Sequence, residues 1–532
     1  MTQETSTASR RRTRLARVAL AALSGVIAAF AALCVGELLS AAVRPESSPV
    51  TAVGGAVVDR TPPEVKDWAV RTFGTADKLV LLGSILVLLV LFAAVVGVVA
   101  RRHRPAGVAG VLVFGVVGAV AALSRAGSGW LDTLPAAGGA VAGAAVLWLL
   151  TGRLTGTGAR ADEIPRDRAA LDRRGFVLAA GASVAVSAGA GFAGRRLGAS
   201  GAAEAEASRA RVRLPRPASS ARPIPAAARP EVKGLSPFTT PNRDFYRVDT
   251  ALVVPRVDAG SWRLKVHGEG VRRPLELDFQ QLLRRDMIER DITLTCVSNE
   301  VGGPYVSSAR WLGVPLAPLL EEAGVRPPSQ GGPADQLVSR SVDGMTIGTP
   351  VDTVMDGRDA ILAVGMNGEP LPFRHGFPVR MVVPGLYGYV SACKWLQELE
   401  LTTFDAFDPY WVRRTWAREA PVKTQSRIDT PRPFARLRAG TVRVAGVAWA
   451  QHRGIRKVEV RVDGGPWQEA RLAAQANLDT WRQWVWEWPA TEGSHTLEVR
   501  ATDATGTPQT SRRQGTVPDG ATGLHSVVVS VD

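Results

Sequence analysis

The sequence predicts a chain in three parts: an α-helical membrane domain of about five helices, then an α+β domain, then a β-sandwich. Three observations carry this. Charge-free apolar stretches fill most of the first two hundred residues, an alternating strand at Asp291–Thr295 runs into a Gly-rich turn, and short alternating strands take over after Lys423. The 532 residues, 46% of them apolar, suffice for two or three cores.

The apolar stretches are 18–36, 79–100, 105–124, 134–150 and 175–194. At about 1.5 Å rise per residue, segments of about 17 to 22 residues cross a ~30 Å hydrocarbon core. Much of the net charge of +15 lies beside them: at Arg10, Arg11, Arg12, Arg14 and Arg17, at Arg101, Arg102 and Arg104, and at Arg166, Arg168, Arg173 and Arg174. Basic residues gather at the cytoplasmic ends of membrane helices. The N-terminus and the loops after the second and fourth helices are therefore expected inside, and a fifth crossing places the C-terminal half outside. The 44–78 loop balances its bases with acids such as Glu46, Asp59, Glu64, Asp67 and Asp77, which agrees with an outside position. No Lys/Arg-rich helix with interleaved aromatics occurs, so the charge does not point to nucleic acid.

Between the apolar stretches and the folded remainder, residues 195–233 are rich in Ala, Arg and Pro, with Pro215, Pro217, Pro223, Pro225 and Pro230. A stretch so poor in large apolar side chains reads as a tether. The expected boundaries are a membrane domain over 1–194, a linker over 195–233, an α+β domain over 234–420 and a sandwich over 421–532. In the last, 457–462, 482–488 and 495–500 alternate as strands between Gly, Pro and Asp turns. Trp484, Trp486 and Trp488 share one strand face, for core or subunit-interface packing.

Cys296 is one of three cysteines, with Cys34 and Cys393, and it follows the alternating strand Asp291-Ile292-Thr293-Leu294-Thr295 and precedes a Gly-rich turn. A thiol at a strand tip suits a soft-ligand metal site, although a lone buried cysteine is usually a small apolar residue, and a Cys296–Cys393 bridge would abolish the metal reading. Its company decides between them. The runs Thr295-Cys296-Val297-Ser298-Asn299, Arg310-Trp311-Leu312-Gly313-Val314-Pro315, Met366-Asn367-Gly368-Glu369-Pro370, His375-Gly376-Phe377-Pro378-Val379-Arg380 and Lys394-Trp395-Leu396 resemble, in order and spacing, the molybdopterin domain of the sulfite oxidase family.

The resemblance implies an α+β sulfite-oxidase-like molybdopterin domain followed by an immunoglobulin-like β-sandwich, and a molybdenum-molybdopterin cofactor. By position it implies Cys296 as the metal ligand and Tyr246, Arg247, Asp343, His375, Arg380 and Lys394 as cofactor-binding residues. It further implies two-electron oxygen-atom transfer on a small-molecule substrate, and a homodimer through the C-terminal domain. Arg173-Arg174-Gly175-Phe176 resembles a twin-arginine export signal, which would carry a domain across the membrane already folded around its cofactor; a plain cytoplasmic positive cluster has the same composition. The six histidines place no pair in the apolar stretches to hold a haem, so an electron-transfer partner, a haem protein or a quinone-linked one, is expected.

Two departures bear on substrate. Val364 stands where sulfite oxidases carry an active-site tyrosine, and Ser298-Asn299-Glu300-Val301 replaces their Gly-Asn-Arg-Arg. With Glu300 beside the entrance, a neutral or cationic substrate is expected over sulfite. Alternative readings are a methionine or other sulfoxide reductase, a true sulfite oxidase, or a non-catalytic membrane receptor on the same fold.

Overall fold

The chain divides into two units, Met1–Ala203 with Ala251–Val254 and Glu204–Thr250 with Pro255–Asp532. The computed structural model describes residues 2–62, 65, 68, 72, 73, 77–125, 128–154 and 173–532; the expected loop charges Glu64, Asp67, Arg166 and Arg168 lie outside them.

In the first unit, long helices follow the apolar stretches: α1 (Thr2–Val43), α2 (Pro49–Arg60), α3 (Asp77–Arg102), α4 (Arg104–Leu123), α5 (Leu134–Leu154) and the start of α6 (Arg173–Arg211). Five of these contain spans long and apolar enough to cross a membrane, by length and composition. Small residues set the packing. A Cβ on Gly25 of α1 would fall 1.9 Å from the Ala93 carbonyl oxygen of α3, and one on Gly97 would fall 2.1 Å from that of Ala21, so α1 and α3 touch backbone to backbone. Arg44 and buried Asp132 form a bidentate pair at 2.6 Å.

The second unit opens with two sheets. Its strands are β1 (Arg263–Gly268), β2 (Leu275–Asp278), β3 (Ile288–Thr295), β4 (Val306–Pro315), β5 (Gln336–Ser341), β6 (Thr346–Pro350), β7 (Ile361–Met366), β8 (Glu369–Pro370), β9 (Arg380–Val382) and β10 (Leu396–Thr402). Short helices α7 (Phe279–Leu283), α8 (Leu316–Glu322), α9 (Val351–Val354) and α10 (Gly388–Ser391) link them. One sheet runs β2-β1-β10-β5-β6, with β1 and β10 parallel; the other runs β3-β4-β7-β8, with β9 on β7. This is the expected α+β layout.

Nine strands follow: β11 (Gln425–Thr430), β12 (Arg436–Leu437), β13 (Gly440–Trp449), β14 (Ile455–Val462), β15 (Gln468–Glu469), β16 (Arg471–Leu472), β17 (Arg482–Ala490), β18 (Gly493–Asp503) and β19 (His525–Val531). They form sheets β11-β13-β17-β16 and β12-β19-β18-β14-β15 around one apolar cluster. Trp484, Trp486 and Trp488 of β17 belong to that cluster, which answers their one-face spacing with core packing.

The tether expected over 195–233 is corrected. Helix α6 continues to Arg211, and Arg209 is fixed by Nε to the Leu371 carbonyl at 2.8 Å and by Nη2 to that of Pro370 at 2.7 Å. Beyond it, the Ala218 amide donates to the Met287 carbonyl and the Glu289 amide to the Ser219 carbonyl, while Ala228 is buried. A Pro-rich chain lacks regular structure of its own, but its remaining backbone groups bind a neighbouring strand edge, and tertiary docking supplies what composition does not.

Candidate active site

Strand β3 ends at Thr295, where the next residue turns away from the sheet. The Cys296 amide still bonds the Tyr305 carbonyl at 2.9 Å, and the Cys296 carbonyl accepts from the Asn299 amide at 3.1 Å. Asn299 Oδ1 accepts from the Tyr305 amide at 2.7 Å, closing the loop. A positive φ of 78° at Gly302 completes the turn, against the ring of His525 where a Cβ would not fit. The thiol is thus presented by a braced hairpin turn rather than a mobile loop.

Cys296 opens into a solvent-facing cleft of about 880 Å3 in the second unit. Tyr246, Asp343, His375, Arg380 and Lys394 line it too, so six of the seven residues named from the sequence share one wall system. Arg247 is not among the lining residues. Its guanidinium turns to Asp249 at 3.2 Å, and Asp249 in turn holds Lys394 Nζ at 3.0 Å. Arg247 is thus joined to Lys394 through the shared carboxylate of Asp249.

The three basic positions are tightly placed. His375 Nε2 lies 2.8 Å from the Asn242 carbonyl; a carbonyl only accepts, so Nε2 carries the proton and Nδ1 is an acceptor. Asn242 is itself held by Asn367 of the Met-Asn-Gly block, whose Nδ2 reaches Asn242 Oδ1 at 2.8 Å and the Thr240 carbonyl at 2.9 Å. Arg380 is 5% exposed, lies 5.0 Å from the Trp311 ring centroid and donates from Nη1 to the His375 carbonyl at 3.2 Å. Lys394 Nζ also donates to the Val248 carbonyl at 3.1 Å. Gly376, with φ 108°, lets the His375 loop close on both: an added Cβ would meet Arg380 Cβ and Lys394 Cα at 3.1 Å.

Burial governs the electrostatics. It lowers His375 to about 3, reinforced by the charges of Arg380, Arg374 and Lys394 against the Asn242 bond, so this imidazole is neutral. It lowers Arg380 to about 10 and Lys394 to about 8, the latter with the opposing charge of Asp249. It pushes the Cys296 thiol up, against hydrogen bonds from Ser298 and the charge of Lys394. Such a site favours an incoming anion or metal that restores the charged forms.

The residues present fit a molybdenum-molybdopterin group. Among the described residues, buried Arg380 Nε and Ser341 Oγ have no hydrogen-bond partner, and both residues line the cleft. An unmet guanidinium donor is what a phosphate would satisfy, and a buried serine suits a polar ring edge. Cys296 offers a metal one thiolate, so the other ligands must come with an organic cofactor. Cys296 and Cys393 are both free thiols in the same cleft, so no bridge joins them. Cys393 is fully buried, and burial raises it to about 12.

The sequence reading missed the outer wall, Tyr389, Trp411 and Trp416, and the small residues Ser298 and Ser341. It also misjudged two positions. Val364 is wholly buried within β7 and Glu300 is an exposed turn residue, and neither lines the cleft. A strand's alternate side chains face opposite ways, and the Gly302 turn carries Glu300 outward.

Residues 251–411 match the oxidoreductase molybdopterin binding domain. Mitochondrial sulfite oxidase of Mus musculus is 31% identical over 305 residues, covering 50% of this chain and 55% of that protein. Sulfite oxidase of Gallus gallus is 33% identical over 290 residues, covering 47% and 62%. The chain thus spans somewhat over half the length of these relatives. Among solved structures, the sulfane dehydrogenase SoxCD from Paracoccus pantotrophus is 25% identical, covering 56% of this chain and 84% of that chain at a TM-score of 0.49. Residues 251–411, which supply most of the cleft and its thiol and basic anchors, thus form an oxidoreductase molybdopterin binding domain, and around it the chain is similar to the sulfite oxidases.

Proposed function

We propose that this chain is a membrane-anchored molybdenum-molybdopterin oxidoreductase that performs two-electron oxygen-atom transfer on a small substrate outside the cytoplasmic membrane. The observation that carries the reading is the one cleft that Cys296 shares with His375, Arg380 and Lys394. When bound there, the cofactor supplies the two-electron redox chemistry, with Cys296 as the protein's ligand to molybdenum. The chain's own residues bind and orient. Arg380 and Lys394 hold the phosphate, the first as a planar fork and the second as a point charge. His375 offers Nδ1 as an acceptor to the pterin, and Asp343 and Tyr246 complete its polar contacts. Tyr246 stays protonated, since burial and the neighbouring thiol raise it, so its hydroxyl is a donor.

The five apolar helices anchor this domain, and the basic flanks set the N-terminus inside. Electrons pass to or from a separate haem or quinone-linked protein. The two-sheet C-terminal region is of immunoglobulin-like type and pairs two copies of the chain.

The test is metal analysis with dye-linked turnover on the full chain in detergent. One molybdenum per chain is expected, and Cys296→Ser should abolish turnover while keeping the melting temperature within a few degrees. A metal-free protein, or a fully active Cys296→Ser variant, overturns the reading. For topology, a reporter active only in the cytoplasm should be silent after Asp532 and active near Asp162.

A further inference from the structure

The cleft has two chemically different ends. Its lining cations are Arg380 and Lys394, with His375 neutral, and both lie at the anchor end: Arg380 against Trp311 and the His375 carbonyl with its Nε left for the cofactor's phosphate, Lys394 on Asp249 and the Val248 carbonyl. Its acids, Asp249 and Asp343, carry no charge to the other end, since Asp249 grips Lys394 and Asp343 accepts from the Met345 amide within its own turn.

The other end is aromatic. A Cβ on Gly388 would lie 3.4 Å from Tyr246 Oη and 3.7 Å from the carbonyl oxygen of Thr295, the residue before Cys296, so the start of α10 sits on the thiol side. From there a run of rings lines the cleft: Tyr389 lies 5.7 Å from Trp416, and Trp416 6.2 Å from Trp411. Tyr389 is pinned by its hydroxyl to the Ala417 carbonyl at 2.7 Å, so its ring is fixed. The arginines that follow Trp411 are turned elsewhere, Arg413 onto the Phe407 ring at 5.9 Å and Arg414 onto the Tyr410 ring at 3.6 Å.

We propose that Tyr389, Trp416 and Trp411 form the substrate-binding wall, and that this wall selects an uncharged organic oxide with apolar substituents, or its reduced form, over a small oxyanion. This rests on the oxidoreductase reading of the same cleft. Ring faces take up apolar groups and polarizable sulfur, whereas a dianion there loses its hydration and meets no free cation.

The test uses the full, cofactor-loaded chain in detergent, with calorimetric titration of methyl p-tolyl sulfoxide and of sodium sulfite and molybdenum measured on the same sample. The sulfoxide is expected to bind at least tenfold more tightly than sulfite. Trp416→Ala should weaken it roughly three- to tenfold, the worth of one aromatic pair, and Trp416→Phe should restore most of the loss. Should Trp416→Ala lose its cofactor, Trp411→Leu and Trp416→Phe carry the comparison. A molybdenum-replete protein that prefers sulfite, or whose sulfoxide affinity ignores both tryptophans, overturns the substrate class alone. A molybdenum-free protein overturns the oxidoreductase reading and the substrate class with it.

Discussion

Gln451, in the turn after β13, donates its side-chain amide to the Thr293 carbonyl at 3.0 Å and to the Thr295 hydroxyl at 2.9 Å. A residue of the sandwich therefore holds the strand immediately before Cys296. The brace is continued by the Thr293 amide on the Asp479 carbonyl at 2.9 Å and by Arg427 Nη1 on the Gly303 carbonyl at 2.8 Å, beyond the thiol.

Gln451→Leu keeps the volume but strips a buried carbonyl and a buried hydroxyl of their donor. A loss of about 1–3 kcal/mol is expected. It should be read as a lower melting temperature together with less molybdenum retained per chain, whereas a change at a merely structural residue would lower the first and spare the second.

Gly376→Ala tests the closure of the His375 loop. Alanine at φ 108° carries backbone strain of about 1–3 kcal/mol wherever it occurs, and here the new methyl also crowds Arg380 and Lys394. Gly357→Ala is the matched control, with φ 92° and nothing within 4 Å of its added Cβ. Cofactor content should fall in the first variant and hold in the second. Equal losses in both would leave backbone strain as the whole cause.

His375 gives a pH dependence of defined sign. Its folded value, lowered to about 3, lies below the ~6.5 of an unfolded histidine, so between these values the unfolded chain binds the extra proton. This contribution to stability is complete above about pH 6.5 and is lost as pH falls toward 3. In cofactor-free protein, denaturant midpoints measured from pH 7 to pH 4 should fall less steeply for His375→Asn than for the parent. Parallel slopes would mean that the folded imidazole titrates normally.

Replacing Arg173 and Arg174 together by Lys separates two uses of this pair at the start of α6. Lysine preserves positive charge but not the guanidinium pair. The catalytic domain should remain inside the cell, scored by protease protection in intact spheroplasts. Normal export would reduce the pair to a charge cluster.

The parts of the site carried by regular structure are legible in the sequence. Strict alternation over Asp291–Thr295 marks β3, and the glycines after Cys296 mark its turn, because both signals are local. The indoles of β17 are legible for the same reason, their spacing of two being the strand's own period. Trp411 and Trp416 are not, since they come from an irregular segment with no period and are brought to Cys296 by the fold across more than a hundred residues. Residues 212–233 mislead in the opposite direction: their composition promises no structure, and backbone bonds to β3 impose it.

Strand β3 stands at the end of its sheet, yet its outer edge is occupied along its length, by the Ala218–Ser219 segment at one end and by Asp479 and Gln451 at the other. A bare edge strand is a template for pairing with a neighbouring molecule. The C-terminal region is therefore not a detachable module: a chain cut after residue 420 would uncover the edge beside Cys296, and copies of it would associate through that edge instead of remaining dispersed. Attempts to obtain a minimal catalytic fragment should keep everything from Glu204 to Asp532.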